Sequence, residues 1–113
     1  MRLETNKYLY DVQRAVGLLT EFTAGKTFDH YVREAMLRAA VEREFEIIGE
    51  ALAQLAKLDA ALVARISDYR RIIAFRNILI HGYADVDDQL VWDIVETKLP
   101  VLAKEVAELL DSK

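Results

Sequence analysis

The feature that most constrains the fold is an apolar stepping of four and three residues through Leu37, Val41, Phe45, Ile48, Leu52 and Leu55. At 3.6 residues per turn these positions fall on one face, which demands a long helix with an apolar surface to lie against. The same stepping returns elsewhere. Tyr8, Val12, Ala15, Leu19 and Phe22 share a face of a first helix that should stop near Ala24-Gly25, with Gly25 as its C-terminal cap. Thr27-Phe28-Asp29 supplies a restart before the long helix. Asp59 to Ile66 reads as a short helical turn or linker, and Ser67-Asp68 offers capping side chains to a helix carrying Ile72, Ile73 and Phe75. A last helix begins at Asp85-Val86-Asp87-Asp88, where acids suit unpaired backbone N–H groups. Its apolar face is Leu90, Val91, Ile94, Val101, Leu102, Val106 and Leu109, and Pro100 within that pattern predicts a kink or brief break after Lys98-Leu99.

Nothing alternates with a period of two for long enough to make a strand, so the expected fold class is all-α, a four- to five-helix up-and-down bundle. Residues 1–113 are read as a single domain, of a size at which a self-interface would bury useful additional apolar surface. The absence of cysteine excludes disulfides, thiolate metal sites and a cysteine nucleophile. The N-terminus mixes polar and apolar residues and no apolar run approaches about 18 residues, so neither a signal peptide nor a membrane span is expected and the cytoplasm is the plain reading. A net charge of −4 argues against coating nucleic acid nonspecifically, while leaving room for a local basic patch.

Chemically active side chains cluster in Arg76-Asn77-Ile78-Leu79-Ile80-His81-Gly82-Tyr83. On a continuous helix Arg76 and Tyr83 would share a face roughly 10 Å apart along the axis, with His81 about 140° away. If Gly82 ends the helix, His81 lies in its last turn, and the chain can fold back to bring His81 and Tyr83 toward Arg76. Arginine, histidine and tyrosine without thiols or a metal-ligand set suit an anionic substrate. RNA is the obvious one, because its 2′-OH is a built-in nucleophile. An imidazole can shuttle the proton, a guanidinium can present two donors to phosphate oxygens, and a tyrosine can bond a phosphate or the 2′-OH or stack on a base. The expected roles are thus His81 and Arg76 as catalytic residues, Tyr83 as a substrate contact and Asn77 as a supporting residue, with neither metal nor cofactor. Acid–base cleavage commonly uses two proton-handling groups, so the single histidine of the motif points to a symmetric homodimer with two facing motifs.

At these residues the chain resembles the HepT-like toxins of the HEPN superfamily, whose motif is Arg, four residues, His, one residue, Tyr. Arg76, His81 and Tyr83 match it, and Asn77 fits the family's preference for a polar residue after the arginine. Glu46-Ile47-Ile48-Gly49-Glu50-Ala51 and Val91-Trp92-Asp93-Ile94 with Leu99-Pro100 also resemble family segments. The likeness spans most of the chain and is weakest in the first helix. It implies a HEPN-like bundle and a metal-independent endoribonuclease toxin of a type VII-like toxin–antitoxin system, homodimeric, with both motifs in one cleft. It also implies a partner, a minimal nucleotidyltransferase antitoxin of the MntA type, which transfers AMP to the tyrosine at position 83. The alternative function is a non-catalytic helical partner that binds a nucleotidyltransferase or a nucleotide.

Other residues invite plainer readings. Glu46 and Glu50, one turn apart on the long helix, either orient Arg76 by a charged hydrogen bond or are surface carboxylates. Arg70 and Arg71 are read as solvated surface, His30 as lacking chemical companions, and Trp92 as a core or interface anchor.

Overall fold

The computed structural model describes residues 3–82 and 86–111, and these are all-α. Seven helices follow one another: α1 (Leu3–Thr23), α2 (Phe28–Arg33), α3 (Ala35–Leu58), α4 (Ala60–Val63), α5 (Tyr69–His81), α6 (Asp88–Thr97) and α7 (Leu99–Asp111). Helix α3 is the spine, packed against α1 and α5, while α7 lies along α1. The apolar stepping explains this placement. Val41, Phe45, Ile48, Leu52 and Leu55 are all at most 1% exposed and meet Leu9, Val12 and Leu19 of α1, equally buried, in one core. Phe45 and Phe75 join α3 to α5 edge-to-face, ring centroids 5.3 Å apart.

The local signals largely do what their chemistry dictates. Gly25 takes φ 71°, a left-handed conformation that suits the residue after a helix end. Thr27 caps α2 in a capping box with His30, which gives that histidine a structural task. Asp59 accepts the Leu62 N–H at 3.1 Å and starts α4 in the segment read as a turn or linker. Asp87 caps α6 by accepting from the Gln89 N–H at 2.9 Å. Pro100 stands in the first turn of α7, where a missing N–H is harmless, and the break falls at Lys98, just before the expected place.

Two expectations need correction. The restart at Thr27 does not run straight into the long helix, because Glu34 is extended (φ −104°, ψ 98°) and separates α2 from α3. Arg38 reaches back to the carbonyls of Tyr31 and Val32, occupying acceptors that a continuous helix would have used internally. Ser67 and Asp68 do not cap α5 with their side chains. Asp68 occupies the cap position at φ 58° but accepts a hydrogen bond from Lys98 at 2.7 Å, which holds its carboxyl below the usual carboxylate range. Ser67 instead donates its backbone N–H and its hydroxyl to Glu105. The start of α5 is therefore tied to the α6–α7 junction and to α7 by side chains, in place of a local side-chain cap.

Trp92 is a core anchor, 5% exposed, with its ring 5.4 Å from that of Tyr31. The Tyr31 hydroxyl is buried without a hydrogen-bond partner among the described residues. Burial pushes the nearby Glu42 carboxyl up, with Asp88 and Glu46 adding to the effect. No helix among the described residues is long and apolar enough to cross a membrane.

Candidate active site

Helix α5 owes its register to Ile72, Phe75 and Leu79, which bury at helical spacing against the core. Arg76 follows Phe75 and therefore sits at the edge of that buried face, beside α3. The two helices approach closely here because residue 49 is glycine. A Cβ placed on Gly49 would lie 2.2 Å from the Arg76 Cβ and 2.6 Å from its Cγ, far inside ordinary carbon–carbon contact. The arginine stem is thus pressed on bare α3 backbone, and its side chain is only 17% exposed. Its Nη1 donates to Glu50 Oε2 at 2.8 Å, and its Nε is buried without a partner among the described residues. Of the two carboxylates considered for orienting Arg76, Glu50 does so, whereas Glu46 faces Arg43 at 3.7 Å.

Arg76 lines an open cleft of about 450 Å³ between α1, α3 and α5, with Ile80 on the same wall. Lys7 and Asp11 bring a third ion pair to it, at 2.9 Å, beside those of Arg43 with Glu46 and Arg76 with Glu50. Asp11 raises the Lys7 ammonium above its ordinary value. The cleft is lined by paired charges of both signs, so an entering phosphate must compete with carboxylates for each cation. Arg70 stands outside it, over the Tyr69 ring, as surface.

His81 is the last residue of α5 and is exposed. Gly82 closes the helix by donating its N–H to the Ile78 carbonyl at 2.7 Å. Residues 76–81 are helical throughout, so His81 is rotated about 140° from Arg76 and displaced about 7.5 Å along the axis. It does not line the Arg76 cleft. Asn77, four residues before His81, is within about 40° of it and is likewise exposed. One chain therefore pairs Asn77 with His81 on an outward ridge and holds Arg76 on the flank. Tyr83, the expected modified residue, lies outside the described residues. Among the described residues no three His, Cys, Asp or Glu gather as a metal-ligand set.

Comparison with known proteins decides what this geometry belongs to. The family described as Ribonuclease HepT-like matches residues 12–109, nearly the whole chain and all of the motif. The chain belongs to the HepT-like ribonuclease family. The family assigns it endoribonuclease activity. A Methanocaldococcus jannaschii protein named as an RNase is 32% identical over 103 residues, covering 91% of this chain and 94% of the relative. A Thermococcus cleftensis protein named as ribonuclease HepT is 31% identical over 109 residues, covering 96% and 98%. A third relative, named as an RNase of Caldanaerobacter subterraneus, is 30% identical over 106 residues and covers 94% of each chain. No solved structure matches significantly.

Sequence reasoning had not singled out Gly49. The signal was present as a glycine on the buried face of an otherwise strong helix, directly before an acid, where close approach of a second helix is the usual reason for such a residue.

Proposed function

We propose that this HepT-like ribonuclease cuts RNA by transesterification without a metal, with His81 moving the proton and Arg76 carrying the phosphate charge. The 2′-OH attacks the adjacent phosphorus, its proton leaves to a base, and the 5′-oxygen departs with a proton from an acid. The observation that carries this reading is the placement of Arg76, a guanidinium held by a single carboxylate in an open cleft. Such a group can neutralise a phosphorane-like charge with little reorganisation. The substrate's own nucleophile sets the product ends. Cleavage is expected to persist in excess chelator and to leave a 2′,3′-cyclic phosphate and a 5′-hydroxyl, read by mass spectrometry of a short RNA. Products with a 3′-hydroxyl, or a rate abolished by chelation, would sink the mechanism.

The working unit in this reading is a homodimer. Ile78 and Ile80 are 47% and 41% exposed on either side of the ridge that carries Asn77 and His81, so α5 presents both apolar area and the imidazole to a partner. An isologous pairing along this helix would bring two copies of His81 near one scissile bond, supplying the second proton-handling group.

Regulation completes the reading, as the toxin of a type VII-like system in the cytoplasm. A minimal nucleotidyltransferase of the MntA type would add AMP to Tyr83, the phenol oxygen attacking the α-phosphate of ATP and pyrophosphate leaving. The adduct places negative charge and bulk two residues from His81, where an RNA phosphate must approach. Co-expression with such a transferase is expected to put AMP on the peptide containing Tyr83 and to silence cleavage, whereas Tyr83→Phe should take no AMP and escape silencing. Equal silencing of both proteins would remove Tyr83 from the scheme.

A further inference from the structure

We propose that Glu50 is a positioning residue for RNA cleavage, acting through Arg76. This role rests on the function proposed above. Glu50 and Arg76 are 26 residues apart, yet their side chains meet at 2.8 Å across the α3–α5 crossing. The two ends of the arginine are fixed by consecutive residues of α3. Gly49 admits the stem, and Glu50 takes the guanidinium. A long flexible cation is thereby confined to one direction, toward the cleft.

The burial pattern makes Glu50 the residue that holds this charge in place. Arg76 is largely covered and its Nε has no partner among the described residues, so the Glu50 carboxylate is its one hydrogen-bonded counter-charge there. Glu46, one turn away on α3, faces Arg43 instead. A carboxylate beside a phosphate site also has a cost for substrate binding, since it repels the anion that Arg76 attracts. The carboxylate compensates the covered guanidinium in the free protein, and once RNA is bound an arginine already aimed at the phosphorus needs no search for its geometry.

That two-sided electrostatics gives a distinctive kinetic signature. Loss of Glu50 should lower kcat and leave KM unchanged or lower, whereas a residue that merely shapes the RNA surface or supports the fold would not produce this split. The experiment uses the full chain and a short RNA, comparing wild type with Glu50→Ala and Glu50→Gln. Glu50→Ala is expected to lose about 10- to 100-fold in kcat, the cost of a slightly misplaced group, with KM within about threefold or improved. Glu50→Gln keeps the reach and an acceptor oxygen and is expected to recover part of the loss.

A readout independent of activity accompanies the kinetics. In ¹⁵N spectra, rotation of the Arg76 guanidinium should be slow in the wild type and faster in Glu50→Ala, with melting curves showing that both are folded. Glu50 is half-exposed, so its truncation leaves no core cavity. An active wild type beside a Glu50→Ala variant with undiminished kcat, or one impaired through KM alone, would overturn the role and leave the function standing. Unchanged Arg76 rotation would overturn it as well. A wild type that cuts no RNA would overturn the function and this role together.

Discussion

His81→Ala is expected to reduce RNA cleavage by about 10²- to 10⁴-fold, the span over which general acid–base groups contribute to catalysis. The size of the effect follows from scarcity. The chain has two histidines, and His30 is occupied in the α2 capping box, hydrogen-bonded to Thr27. No cysteine is present to take over proton transfer. The substitution should cost almost nothing in stability, because His81 is exposed at the end of α5 and makes no core contact, and such surface changes usually fall within about 0.5 kcal/mol. Rates on a short RNA and thermal melting, measured on the same preparations, separate the two quantities. A variant that melts like the wild type and also cuts like it would mean that the imidazole is idle.

The second large effect is mechanical. Gly49→Ala is expected to destabilise the fold by about 1 to 3 kcal/mol, the usual cost of overpacking, lowering Tm by roughly 4 °C per kcal/mol in a chain of this size. Helix propensity alone predicts the opposite, since alanine in a helix interior gains about 0.5 to 1 kcal/mol over glycine. Sterics win at residue 49 because the new methyl would sit 2.2 Å from the Arg76 Cβ, an atom fixed to the α5 backbone rather than the end of a flexible chain. Helix α5 would have to shift, and Arg76 with it, so cleavage should fall together with stability. Gly17 provides the control. It is also helical, but exposed, with nothing within 4 Å of an added Cβ. Gly17→Ala should therefore raise Tm while leaving cleavage untouched. Two variants of the same sign would refute the account of the α3–α5 crossing.

These contrasts show what was legible in the sequence and what was not. The apolar faces of α1 and α3 were readable because burial enforces helical spacing residue by residue, and Val41, Phe45, Ile48, Leu52 and Leu55 leave no other face to bury. The stop at Gly82 and the break near Pro100 were readable because both residues act through their own backbone. The interruption at Glu34 was not, since no glycine or proline marks it; Arg38 meets the α2 carbonyls that the break leaves free, a contact that no local pattern encodes. Ser67 and Asp68 looked like caps and became long-range anchors, because Glu105 and Lys98 compete for the same side chains. The motif residues themselves stood out in the sequence by type and spacing. Their division between two faces of α5 was geometry, fixed only once the helix was known to run through His81.

That division has a consequence for how the protein behaves as its amount changes. A chain that turns its arginine to one side and its imidazole to another works only in company, under the proposed pairing along α5. At concentrations well below the dimer dissociation constant, the cleavage rate should rise with the square of the protein concentration, becoming linear above it. Dilution would then disarm the enzyme by itself. Mixing in a copy that pairs but lacks the imidazole would capture competent chains one for one, so that fully competent pairs fall as the square of the competent share that remains.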